Sequence, residues 1–117
     1  MGLTFVEATV TGPSGLSRQL KLMVDSGAAY SLLPTKTWKA IKLKPMEKRT
    51  FTLADGTDIE REISECQIAL NGTERHTPVI LGKPGDEPLL GVITLEVLGL
   101  VLDPFKRTLQ PMHLRLG

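Results

Sequence analysis

Among the side chains of this sequence that can do chemistry, Asp25 stands out by its position. The stretch Leu22-Met23-Val24-Asp25-Ser26-Gly27-Ala28 is an apolar run that stops at a carboxylate and then turns through a hydroxyl and a glycine. An ionised group that leaves water loses much of its hydration free energy, so a carboxylate at the end of a buried strand needs compensation. Gly27 frees the backbone for a tight turn, the Ser26 hydroxyl can brace a neighbouring segment, and Ala28 leaves room beside the acid. The same letters also describe a plain turn that closes a strand. Only their context separates an acid set for use from a turn.

The other reactive side chains offer less. His76 and His113 are remote in sequence from each other and from clustered carboxylates, which speaks against a metal site and for surface or strand-edge positions. Cys66 is the single cysteine, so neither an intramolecular disulfide nor a cysteine-built metal site can form. Set among apolar residues, it reads as a small core side chain. No metal and no cofactor are expected.

A length of 117 residues suits one domain spanning the whole chain. With 41% hydrophobic and 23% charged residues, the composition is that of an ordinary globular protein. A net charge of +1 gives no electrostatic reason to expect nucleic acid or a membrane surface as partner. The first residues lack the basic segment and apolar run of a secretory signal, and no apolar run reaches membrane-spanning length. Together with the lone thiol, this makes the cytoplasm the expected location.

The elements that would position Asp25 follow from alternation and turn chemistry. Residues 3–11 and 17–24 alternate around Thr11-Gly12-Pro13-Ser14-Gly15, a dense turn signal, and read as a hairpin whose second arm runs into Asp25. Residues 30–33 read as a short buried strand ended by Pro34, after which Thr35 is placed to cap a short helix through Trp38 to Ile41. Residues 50–53 and 57–63 flank Asp55-Gly56 and read as a second hairpin, polar on both arms and able to project and move. Residues 66–70 and 73–81 flank Asn71-Gly72 as a third. Leu89-Leu90-Gly91 then opens a helix over residues 92–98 with Gly99 as its stop, residues 100–102 form a buried strand, and residues 112–116 alternate as a terminal strand.

Taken together, an acid motif at the end of a hairpin, a polar hairpin with a glycine at its tip, and an apolar-apolar-Gly element opening a short helix resemble the retropepsin-like aspartic proteases. These are single-lobe enzymes typified by the retroviral proteases. The resemblance runs from Phe5 to Leu116 and is closest in residues 24–34 and 89–96. It implies a mainly β fold, a closed barrel-like acid protease architecture with a flap hairpin and one or two short helices. It also implies that Asp25 is the catalytic carboxylate, with Ser26, Gly27 and Ala28 completing the signature loop. Ser26 stands where Thr is commoner, which keeps the hydroxyl and loses a methyl group. Leu53, Ala54, Asp55, Gly56 and Thr57 occupy the flap tip, where Asp55 departs from the apolar, glycine-rich tip of retroviral flaps.

Aspartic proteolysis uses two carboxylates that share one proton, and this chain has one Asp-Ser-Gly. The resemblance therefore implies an endopeptidase active as a homodimer on peptide substrates, with a two-fold axis between two copies of Asp25. Asp55 and Asp103 are superficially comparable acids, one in a turn and one at a strand end. Residues 112–116 with residues 2–5 are the expected interchain sheet. The competing expectation is a catalytically silent dimerisation or peptide-binding module on the same fold. A third is an unrelated small barrel in which Asp25 only makes a turn.

Overall fold

Residues 2–113 and residue 116 are described by a computed structural model. The hairpin that leads to Asp25 is formed by β1 (Phe5–Thr11) and β2 (Ser17–Val24), paired without interruption from Phe5 opposite Met23 to Thr11 opposite Ser17. After the turn at Asp25 come β3 (Ser31–Leu33), α1 (Thr35–Ala40), β4 (Glu47–Thr52), β5 (Asp58–Leu70) and β6 (Thr73–Leu81). β7 (Leu89–Leu90), α2 (Val92–Leu98), β8 (Leu100–Asp103) and β9 (Thr108–Pro111) complete the described elements. Among the described residues no helix is long and apolar enough to cross a membrane.

The main sheet has the order β1-β2-β7-β3-β6-β5-β4, and β1 also pairs with β5. Six strands thus close into a ring, and β4 remains outside as the far arm of a projecting hairpin. Closure removes most exposed edges and gives every inward side chain a neighbour. Val10, Leu22, Leu33, Ile41, Ile68, Val79 and Leu90 fill the interior and are at most 1% exposed. Leu95, Leu98 and Leu100 extend this core under α2. The mainly β, barrel-like architecture with two short helices is the expected one.

Three local expectations need correction. The arms expected at residues 57–63 and 66–70 are one strand, β5, because no Gly, Pro or Asn interrupts Asp58–Leu70. That strand is shared by two hairpins. Thr35 does not cap α1: Pro34 holds the cap position in extended geometry, and the Thr35 hydroxyl donates instead to the Gly82 carbonyl at 2.8 Å. Of residues 112–116, expected as the terminal strand, the described ones form no strand. The chain turns at residues 104–107 and pairs back on β8 as β9, which ends at Pro111, and just beyond it the Met112 N–H donates to the Gly99 carbonyl at 2.7 Å. Met112, His113 and Leu116 lie outside any strand, and Leu114 and Arg115 lie outside the described residues. Of residues 2–5, only Phe5 enters a strand.

Candidate active site

Asp25 follows the buried Val24 at the end of β2 and is itself half-buried. Its N–H donates to the Leu90 carbonyl at 3.0 Å, which ties it to β7, the parallel neighbour of β2. Its Oδ1 accepts the Gly27 N–H at 2.9 Å, and its carbonyl accepts the Ala28 N–H at 3.1 Å. A Cβ added at Gly27 would stand 3.3 Å from Oδ1, so glycine there leaves the carboxylate uncrowded. Ser26 and Gly27 are exposed, and the loop presents its outer side to solvent.

The first turn of a helix carries N–H groups with no partner inside the helix. In α2 two of them are used on the Asp25 loop: Val92 donates to the Ala28 carbonyl at 2.8 Å and Ile93 to the Ala29 carbonyl at 3.0 Å. This contact requires Gly91. A Cβ at that position would lie 2.5 Å from the Tyr30 carbonyl carbon and oxygen and 2.8 Å from the Ala29 oxygen. Leu89, Leu90 and Gly91 therefore sit against residues 25–30, as backing for the loop.

Sequence reasoning missed the polar anchor beneath this contact. Ser31 Oγ accepts the Gly91 N–H at 3.0 Å and lies 2.6 Å from Thr94 Oγ1, which lies 2.8 Å from Thr77 Oγ1. Thr77 Oγ1 can donate to the Pro78 carbonyl at 3.3 Å, so one proton arrangement satisfies all three hydroxyls. Each of the three residues is at most 1% exposed. Their only signal in the sequence is a hydroxyl at positions that otherwise read as core. They come from β3, β6 and α2, so nothing in their spacing announces the contact.

The flap tip, Leu53 to Thr57, joins β4 to β5 and is exposed throughout. Its backbone closes through Gly56 N–H to the Leu53 carbonyl at 2.9 Å and Leu53 N–H to the Thr57 carbonyl at 2.8 Å, with Gly56 at φ +86°. This is a turn followed by a left-handed glycine, a common three-residue hairpin connection. Thr57 N–H donates to Asp55 Oδ1 at 2.9 Å, and that bond holds the Asp55 carboxyl below its ordinary range. The flap reaches the signature loop through its first arm. Phe51 stands edge-on to Tyr30 with ring centroids 5.7 Å apart, and Arg49 Nη1 donates to the Tyr30 hydroxyl at 2.8 Å. At its base, Arg61 of β5 grips Asp86 with bonds of 2.7 and 2.9 Å; these bonds raise the Arg61 guanidinium and, together with the Lys83 N–H, lower the Asp86 carboxyl.

Cys66 is 3% exposed, and burial pushes its thiol up to about 12, a value that leaves it protonated and unreactive near neutral pH. It borders a cleft of about 670 Å³ that shares no residue with the signature loop or the flap tip. A smaller apolar cavity, about 290 Å³, has Ser26 in its wall.

The gag-polyprotein putative aspartyl protease family matches residues 16–97. Those residues run from β2 through α2 and contain the loop, the flap and its backing. Among solved structures, the chain is similar to EIAV protease complexed with the inhibitor HBY-793. The TM-score is 0.66 at 19% identity, over 84% of this chain and 89% of that one. At that identity the likeness is one of fold. No curated protein matches the sequence. With a family match over most of its length and a retroviral-protease architecture, the chain belongs to the retropepsin-like aspartic proteases of the gag-polyprotein type.

Proposed function

We propose that the protein is an endopeptidase that hydrolyses peptide bonds as a homodimer, with Asp25 of each copy supplying one carboxylate. The observation that carries this reading is the clamp on the Asp25 loop: β7 and α2 hold its backbone while Ser26 and Gly27 stay exposed. A rigid acid with an open face suits chemistry between two copies better than it suits a structural turn.

Two carboxylates held within hydrogen-bond reach cannot both ionise easily, so the pair retains one proton. The ionised member takes a proton from a water molecule as the water oxygen attacks the scissile carbonyl carbon. The protonated member gives its proton to the carbonyl oxygen, producing a tetrahedral diol. Collapse of the diol breaks the C–N bond as the protonated carboxyl gives its proton to the amine nitrogen and a diol hydroxyl gives its proton to the other carboxylate, which leaves a carboxylic acid product and one proton on the pair. The Gly27 N–H on Oδ1 orients the carboxylate throughout. The flap, braced on Tyr30 through Phe51 and Arg49, would cover an extended peptide. We further propose a reducing, cytoplasmic setting, which a single buried thiol tolerates.

The test compares Asp25→Asn with Asp55→Asn and Asp103→Asn in cleavage of an unstructured protein at mildly acidic pH. Loss of activity in Asp25→Asn, with the other two near wild type, is the expected result. Cleavage that survives Asp25→Asn overturns the assignment. The exposed, charged flap tip favours one alternative, a peptide-binding module without turnover, and intact substrate in the wild type across the pH range would establish it.

A further inference from the structure

We infer that the cleft of about 670 Å³ beside Cys66 is a peptide site, in which a short extended segment of another chain, bearing acidic side chains, adds as a strand to an open edge of β5. The site is separate from the Asp25 loop, and the inference does not depend on the protease reading.

One edge of β5 is covered by two different strands. β4 pairs with it up to Glu47 opposite Ile63, and β1 takes over at Thr11 opposite Gln67. Ser64, Glu65 and Cys66 lie in the break. Alternation decides which of them faces it, because the N–H and C=O of one residue point to the same edge of a strand and those of the next to the other. The Ile63 carbonyl accepts the Met46 N–H at 2.8 Å on the β4 side. Glu65 therefore turns its N–H and C=O to that edge, while Ser64 and Cys66 turn theirs to β6, opposite Val79 and Thr77. Extending either register would bring a proline opposite Glu65: Pro45 from the β4 side and Pro13 from the β1 side. Neither residue belongs to a strand and neither has an N–H to give. The Glu65 backbone has no partner on this edge among the described residues. An unpaired donor and acceptor at a strand edge are a template for another strand.

The cleft lies over this break, and Pro13, Lys42, Lys44, Met46, Ser64 and Glu65 are among the residues that line it. Ser64 shares the inward face of β5 with Cys66 and Ile68 and is 5% exposed. Its hydroxyl has no hydrogen-bond partner among the described residues, where every fully enclosed side-chain oxygen has one, so it meets its accessible space in the cleft. A nearly buried hydroxyl without a partner costs free energy that a ligand atom recovers. The wall sets the charge of the occupant. Lys42 and Lys44 are exposed, come from the loop after α1 and have no ion-pair partner among the described residues. Glu65, the single acid of the lining, comes from β5 instead. A strand that alternates acidic and apolar side chains offers the former to the lysines and the latter to Met46, which is 65% exposed. Residues 43–46 run directly into β4, so the occupant also holds the root of the flap.

The test uses Asp25→Asn, so that no probe is cut, and a capped heptapeptide that alternates valine and glutamate. Amide hydrogen exchange followed by NMR reads the edge directly. In the free protein the Glu65 amide should exchange faster than those of Ser64 and Cys66, and the peptide should slow it about tenfold. A matching peptide of valine and lysine should bind about tenfold more weakly, and Lys42→Glu with Lys44→Glu should reverse the preference. Glu65→Pro removes an N–H that no strand uses and should weaken binding about tenfold, whereas Glu65→Gln should not weaken it. Circular dichroism checks that the variants fold, and the lysine pair, on an exposed loop, carries the test if the proline variant does not. A Glu65 amide that is already protected in the free protein overturns the inference. So do equal affinities for the two peptides, the same spectral changes from glutarate alone, or changes confined to residues 25–30 and the flap tip. Nothing in these readouts uses cleavage, so failure of the protease reading would leave each outcome with the same meaning.

Discussion

Asp25 and Asp55 make the same local structure. In each, Oδ1 accepts the N–H of the residue two positions on, at 2.9 Å, and a glycine sits in the turn. Asp103 repeats the pattern with Phe105 N–H at 3.0 Å. A short acidic side chain that bonds its own backbone two residues later is ordinary turn chemistry, and it says nothing of use. The difference lies in what surrounds the turn. Around Asp25, β7 takes the aspartate N–H, α2 takes the next carbonyls, and three buried hydroxyls fix α2 in place. Around Asp55 there is solvent. A turn becomes a positioned acid when nonlocal partners hold it, and the flap tip is the built-in contrast.

Alanine at the two glycines that serve these turns should separate them most. Gly91→Ala drives a Cβ into backbone atoms of residues 29 and 30, which cannot move without moving Asp25. We expect a loss of about 4 kcal/mol or no folding at all, read by urea denaturation. Gly56→Ala meets open space and suffers only from its φ of +86°, a cost of about 1 kcal/mol. Equal losses would erase the contrast.

Thr94→Val comes next. It keeps the shape of the side chain and leaves Ser31 Oγ and Thr77 Oγ1 without their shared partner in a dry site, for a loss of about 2 kcal/mol in the same measurement. Thr94→Ser retains the hydroxyl and should recover most of it. A Val variant as stable as wild type would mean that the hydroxyls do not anchor α2.

The smallest effect concerns the flap base and depends on pH. Asp86 has its folded pKa lowered by Arg61, so its contribution is present above the unfolded carboxylate value of about 3.9 and is lost as pH falls through the lower folded value. Asp86→Asn should cost about 1 kcal/mol at pH 7, and the variant should lose less stability than wild type between about pH 4 and pH 2. Parallel pH profiles for the two proteins would remove the Arg61–Asp86 pair from the account.

Much of the fold was legible in the sequence where the controlling physics is short-ranged. Alternation bounded by turn residues located β2 at Ser17–Val24, and Asn71-Gly72 both adopt positive φ at their hairpin, as that dipeptide favours. Gly99, at φ +71°, ends α2 where its position implied. The errors arose where local signals were silent or were outbid. β5 runs through a stretch with no breaker in it, and Thr35 gives its hydroxyl to Gly82, a carbonyl 47 residues away. β9, at Thr108–Pro111, carries no clear alternation of its own and is defined by its pairing with β8.

By itself the sequence determined that an apolar strand ends in an acid, that a glycine follows it, and that hairpins and a short helix come after, since propensity and periodicity act over a few residues. The tertiary structure decided which of three similar aspartates is held rigid, and by what. Ser31 and Thr94 are 63 residues apart, Leu90 reaches Asp25 across the chain, and the ring closes only where β1 meets β5. Contacts of that range depend on the packing of the whole barrel and leave no mark in the spacing of the residues that make them.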